Sequence, residues 1–380
     1  MKKKSYVGRV VVLGIAAFLA CTAAQAAGDL VIGNVASMTN PTAKENSTNL
    51  TLGYNVYFAE VNARGGIHGR KLRLVNKDDG VVAERMVAAT EELIADPQII
   101  ALAGFLNTAG LVEITKRKLL AEKGIAMIAP IGPFNAPNFY PMRPGYNEEA
   151  EKLLQEARET QKKRVAMVYY KQAFGPAVFA HAQEVAKKTG VDIVATASFE
   201  TTPDKMLPGI QAAADTLAKA QPDAVIVIAA GAGAFNFVKE FRRTPSGSAQ
   251  LYALSPADSF GFVKVAGLDA ARGVVISQAI PYPGHRALAV VRDYQRLMKQ
   301  YAPGEPLSFY SLEGLMGAKI VAEALRRAGP NPTRAKVIAA LNTMKDYDVG
   351  DFTVSYTPAA RSGSKVVDLT IIGRDGSLYR

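Results

Sequence analysis

Residues 50–76, LTLGYNVYFAEVNARGGIHGRKLRLVN, hold a helix, a glycine-marked turn and a strand in immediate succession. Leu50, Tyr54, Tyr57, Phe58 and Val61 recur at helical spacing, so one face of the segment is apolar and needs a partner to bury it. Gly65 and Gly66 stop the helix, because the residue past a C-cap takes a positive φ that glycine reaches without a Cβ clash. Leu72, Leu74 and Val75 then read as a short strand, which makes this stretch the α-to-β half of a doubly wound unit.

The alternation extends in both directions. Strands are expected at 30–35, 99–103 and 125–129, with helices at 82–95 and 111–122. A second set follows, with helices at 149–159, 174–189, 207–220 and 234–243 among strands at 165–170, 191–198, 224–229 and 251–253. The run 224–229 is apolar throughout, as in a parallel strand buried on both faces. After a strand at 274–279, Pro281-Tyr282-Pro283-Gly284 breaks the chain, and helices at 288–301, 311–328 and 333–343 complete it. Two sets of βα units predict an α/β protein with two parallel sheets flanked by helices.

The 380 residues, 49% hydrophobic and 21% charged, are enough for two ordinary cores. Lys2, Lys3, Lys4 and Arg9 precede an apolar run at 10–20 and a small-residue site at Ala24-Gln25-Ala26, the pattern of an export signal cleaved before Ala27. Phe18-Leu19-Ala20-Cys21 is a poor lipoprotein box, and a lipid anchor at Cys21 is the minor alternative. Cys21 is the only cysteine, so cleavage after Ala26 leaves no thiol for a disulfide or a metal. The net charge of +11 falls to +7 without the four leader cations. No basic stripe is interleaved with aromatics, which argues against nucleic acid.

No catalytic seat is visible. His68, His181 and His285 lie far apart without metal-ligand spacing, His68 reading as a turn residue and the others as solvated. No Gly-x-Ser-x-Gly elbow, Walker or Ser-x-x-Lys motif occurs, and Gly231-Ala232-Gly233 lacks the third glycine of a dinucleotide loop, with Asn236 in its place. That triplet reads as a close-packed strand-to-helix turn. Neither cofactor nor metal is expected, and the function reads as binding, not catalysis.

Open α/β sheets bind ligands at the carboxyl ends of their strands. Asn107 and Thr108 sit at such an end and open a helix, whose unsatisfied N–H groups and positive dipole end favour a carboxylate. Thr108 either adds a hydroxyl to that site or caps its own helix. Ser37, Thr39 and Asn40 occupy the first strand-to-helix loop, as turn residues or as ligand contacts.

The run Val61-Asn62-Ala63-Arg64-Gly65-Gly66-Ile67-His68-Gly69-Arg70-Lys71, closed by Asp78-Asp79, resembles extracytoplasmic solute-binding proteins of the leucine/isoleucine/valine-binding type. The resemblance covers essentially the whole mature chain, including Tyr310-Ser311-Leu312-Glu313-Gly314. It implies a type I periplasmic binding protein, two Rossmann-like lobes joined by a three-strand hinge, with crossings near 143–144, 279–281 and 353–355. The lobes would comprise 27–143 with 280–353, and 144–279 with 354–380, after a leader at 1–26. It further implies a hydroxyl for the ligand carboxylate at Thr108, backbone contacts at Ile131 and Gly132, a covering aromatic at Phe174 and an ammonium partner near Asp258. Pro133 stands where amino-acid binders carry a second hydroxyl, and Gly231-Ala232-Gly233 stands where an aromatic is common, Gly231 leaving room for apolar bulk. The expected ligand is therefore a small carboxylate with an apolar or aromatic body, less dependent on an α-ammonium than leucine is. The expected partners are that solute and the permease subunits of an ABC importer, in the periplasm. A sensing subunit of a receptor and an exported α/β enzyme are the alternatives.

Overall fold

The structure, a computed structural model, describes residues 28–40, 43–132, 136–171, 174–257, 259–358 and 363–379. The leader, Pro133 and Asp258 lie outside them. In chain order the first elements are β1 (Leu30–Ala36), α1 (Lys44–Ala63), β2 (Leu72–Asp78), α2 (Ala83–Ala95), β3 (Ile99–Ala103), α3 (Thr108–Lys116), α4 (Leu119–Glu122), β4 (Met127–Ile128) and β5 (Phe139–Tyr140). Next come α5 (Tyr146–Glu159), β6 (Arg164–Tyr170), α6 (Gly175–Thr189), β7 (Asp192–Phe199), α7 (Pro203–Lys219), β8 (Ala224–Ile228), α8 (Gly231–Phe241) and β9 (Gln250–Ala253). A short α9 (Ser259–Gly261) runs through a π-helical segment, Phe262–Ala266, to α10 (Leu268–Ala271) and β10 (Val275–Gln278). The chain ends with α11 (Ala289–Tyr301), α12 (Phe309–Ala328), α13 (Arg334–Asn342), β11 (Tyr347–Asp348), β12 (Thr353–Val354), β13 (Asp368–Ile372) and β14 (Leu378–Tyr379).

The quoted stretch folds as read. Gly65 and Gly66 take φ of 94° and 77°, and a Cβ on Gly66 would overlap the Arg70 carbonyl. α1 buries Leu50, Tyr54, Phe58 and Val61 against α12, where the two helices meet at Gly53 and Gly314. A Cβ on Gly53 would overlap the Ser311 carbonyl, and one on Gly314 the Leu50 carbonyl, so the helices touch backbone to backbone.

Two sheets organise the molecule. The first is parallel, in the order β2-β1-β3-β4-β5, and carries one core against α1 and α11–α13 and another against α2–α4. The second has the order β14-β13-β10-β9-β8-β6-β7 and a core that takes in α5–α8. Its strands β6–β10 are parallel, with β8 buried along its whole length. β13 and β14 pair antiparallel, so this sheet is mixed and not parallel as the alternation predicts. The five residues between β13 and β14 can form a hairpin but not the crossover that a parallel pair needs. The chain passes from the first sheet's cores to the second's between Met142 and Tyr146, returns between Ile276 and Ile280, and leaves again between Tyr356 and Ile372.

Several local readings differ from the sequence expectation; α7, for one, starts at Pro203, four residues before the expected 207. The helix expected at 111–122 begins at Thr108 and breaks at Lys118, whose φ is 51°; the break lets the adjacent Leu119 and Leu120 both enter the core. Helix α5 starts at Tyr146, three residues before the expected 149, with Glu148 and Glu149 in its first turn where the helix dipole favours acids. Gly231-Ala232-Gly233, expected as a close-packed turn before a helix starting at 234, is itself the first turn of α8, and Gly233 does pack closely, since a Cβ there would meet the Phe199 ring at 3.1 Å.

Candidate functional site

The carboxyl ends of the two sheets enclose a cavity of about 160 Å³. From the first sheet come Leu106 and Thr108 after β3, Ile131 after β4, and Phe309, Tyr310 and Glu313 from the first turns of α12. The second contributes Tyr146, Tyr170, Phe174, Ala230, Ser255 and Pro256, and the crossings add Arg143, Gln278 and Ile280. One wall is aromatic: Phe174 lies 4.3 Å from the Tyr146 ring and 4.9 Å from the Tyr170 ring, centroid to centroid.

Thr108 reaches the cavity because another residue caps its helix. Asn107 accepts from Gly110 N at 3.3 Å through Oδ1 and donates through Nδ2 to Asp79 Oδ2 at 2.9 Å. Asp79, fully buried, also accepts from Ser37 Oγ at 2.6 Å and from Val81 N at 2.9 Å. One carboxylate thus ties together the loops after β1, β2 and β3, and leaves the Thr108 hydroxyl at the amino end of α3.

At the crossings the buried charges are Arg143, Glu149 and Glu313. Glu149 accepts from Ser255 N at 2.8 Å, Ser255 Oγ at 2.9 Å, Ser277 Oγ at 2.6 Å and Arg143 Nη2 at 3.3 Å. Arg143 Nη2 also donates to Ser255 Oγ at 3.1 Å, and its guanidinium lies 5.4 Å from the centre of the Tyr146 ring. Its Nε–H is buried without a hydrogen-bond acceptor, and Glu313 Oε1, its ion-pair partner, is 3.8 Å away. Burial by itself would lower the Arg143 pKa, yet Glu313, Tyr146 and Glu149 hold it above the ordinary value. Burial also pushes the Tyr146 hydroxyl up to about 12, against the pull of Arg143.

Of the residues expected from sequence, Thr108, Ile131 and Phe174 line the cavity. The Ile131 N–H is taken by the Phe105 carbonyl at 2.8 Å, so it is not free to donate to a ligand. Asn107 stands behind Thr108 as its helix cap. Thr39 is exposed and bonded to Asp78, while Asn40 Oδ1 accepts from Ala43 N, and neither lines the cavity. Gly132 and Gly231 are also outside the lining, the latter one residue beyond Ala230. Asp258 lies outside the described residues. Among the histidines, His68 is a turn residue with φ of 49°, and His181 is paired with Glu151 at 2.6 Å. Among the described residues no group of three His, Cys, Asp or Glu side chains forms a metal site.

Sequence reasoning missed the buried ions. A usable signal is present: Glu149 lies within the apolar stripe Tyr146, Ala150, Leu153 and Ala157, and Glu313 lies among Leu312, Leu315 and Met316. A carboxylate on the buried face of a helix needs a specific partner.

The family model for periplasmic binding proteins matches residues 29–372, and the chain belongs to that family. It is 24% identical over 347 residues to Leu/Ile/Val-binding protein homolog 7 of Brucella abortus, covering 84% of this chain and 82% of that protein. Its match to the Leu/Ile/Val-binding protein of Citrobacter freundii is 28% identical over 181 residues, 44% of this chain and 47% of that protein, so it spans about half of that relative. The structure of a substrate-binding periplasmic protein from Ralstonia solanacearum superposes with a TM-score of 0.84 at 30% identity, over 92% of this chain and 99% of that one.

Proposed function

We propose that this protein captures a small solute, bearing a carboxylate and an apolar or aromatic body, between its two lobes and delivers it to an ABC importer. On this reading the leader is removed after Ala26, the lobes comprise 27–143 with 280–353 and 144–279 with 354–380, and ligand binding closes the hinge. The observation that carries it is Thr108, a hydroxyl at a helix amino end, freed by the Asn107 cap and facing the aromatic wall across one cavity. Periplasmic location and a small-molecule ligand accord with the family; the kind of ligand rests on the cavity lining.

A thermal-shift screen of the mature protein tests the ligand class, with leucine against 4-methylpentanoate and phenylalanine against 3-phenylpropanoate. A ligand at about 100 times its dissociation constant adds roughly 2.7 kcal/mol of stability. Stabilisation by the plain acids supports the proposal. Stabilisation by the amino acids alone makes the ammonium essential, and no shift with any of the four defeats the carboxylate reading.

A further inference from the structure

Among the described residues the buried charges at the crossings comprise one more carboxylate than cations: Arg143 stands against Glu149 and Glu313. Glu149 is saturated by three Ser255 and Ser277 donors besides Arg143. Glu313, 4% exposed, has Arg143 as its ion-pair partner at 3.8 Å, beyond hydrogen-bond reach. The Arg143 Nε–H therefore lacks an acceptor in the same cavity where Glu313 lacks a close donor. An ammonium placed there would serve Glu313, but it would leave Nε–H unmet and set a cation beside the guanidinium. A solute oxygen meets both needs once Glu313 carries a proton, accepting from Nε–H and from the carboxyl O–H.

We propose that Glu313 sets the charge of the solute, entering the bound complex as a neutral carboxylic acid so that capture of one carboxylate anion takes one proton from solvent. The inference rests on the carboxylate reading above. Among the described residues the charged groups acting on Glu313 are Arg143 on the crossing, the one cation, and Glu149 on α5, while Glu313 in turn bears on the hydroxyls of Tyr146 on α5 and Tyr54 on α1. Burial raises the Glu313 pKa, Arg143 pulls it down and Glu149 pushes it up, with a net rise.

Isothermal titration of 4-methylpentanoate and 3-phenylpropanoate, in two buffers of different ionisation enthalpy at each of several pH values, counts the protons directly. The expected result is uptake of one proton per bound anion above the Glu313 pKa, with affinity falling about tenfold per pH unit there. Glu313→Gln, which keeps a hydrogen-bond donor and removes the titration, is expected to bind with no proton uptake and no such slope. Binding of either acid without proton uptake across the range overturns the proposal while leaving the carboxylate reading intact. So does a slope that persists in a folded Glu313→Gln protein. The wild-type proton count stands by itself if that variant does not fold. Failure of both acids to bind at any pH removes the carboxylate reading and this inference with it.

Discussion

Two buried carboxylates, Asp79 beside the first sheet and Glu313 beside the hinge, are placed on opposite principles. Asp79 accepts three hydrogen bonds from three loops and is finished before any ligand arrives. Glu313 has one distant ion-pair partner and faces a cavity. The first arrangement fixes geometry in advance, so that α3 presents Thr108 at no further cost when the solute binds. The second leaves a donor and an acceptor unmet until something enters. The difference suggests a division of labour, with one lobe preformed and the junction between lobes completed by the ligand.

The strongest way to break this contrast is to remove Glu149, the satisfied member of the hinge cluster. Glu149→Leu leaves Arg143 and the Ser255 and Ser277 hydroxyls without their shared acceptor, and a loss of ~3 to 5 kcal/mol in unfolding free energy is expected by urea titration. Asp79→Ala is expected to cost less, about 2 to 3 kcal/mol, because it orphans hydrogen-bond donors and not a buried cation. Amide exchange at the start of α3 should accelerate in that variant, since Asn107 is no longer oriented for its cap. An unchanged exchange rate there would show that the cap stands without Asp79.

Thr108→Val sharpens the comparison from the ligand side. It should weaken binding of the plain acids by ~1 to 3 kcal/mol through a lost charge-assisted hydrogen bond, while the urea midpoint stays close to wild type. Equal affinity in the variant would move the carboxylate seat away from α3. The smallest effect concerns the free protein. A carboxyl whose pKa is raised on folding contributes stability below its ordinary value of 4.5 that is lost as pH rises through its folded value. Glu313→Gln should therefore unfold at a higher temperature than wild type near neutral pH, and the advantage should shrink toward pH 4. The slope of the difference cannot exceed about 1.4 kcal/mol per pH unit. A constant difference across that range would mean that Glu313 does not titrate on its own.

The fold was legible where periodicity and backbone chemistry are local. Helical spacing from Leu50 to Val61, the two glycines and the strand after them are properties of a few adjacent residues, and they appear as read. The hairpin of β13 and β14 was not, because their short, half-exposed strands give no clear alternation and their pairing with β10 joins residues about ninety positions apart. In the site, Thr108 was visible because it follows a predicted strand and opens a helix, and Phe174 only through the family resemblance. Arg143, Ser255 and Glu313 were not assembled, since their meeting depends on how two separately built lobes are set against each other. Only the oddity of Glu149 and Glu313 within apolar helix faces, which the sequence reading passed over, carried a signal for the place.

Gly314, next to Glu313, is pressed against α1, and Gly53 answers it from the other side. If Glu313 sets the charge of the solute as proposed, that contact gives a mutation outside the cavity lining a handle on ligand choice. A methyl group at either glycine must separate the two helices or slide one along the other, and Glu313, beside Gly314, is carried along. Selection for a new solute therefore has two routes, one through the lining itself and one through the spacing of α1 and α12. The second route couples the residue at position 53 to that at position 313, so that the effects of substituting both are not expected to add.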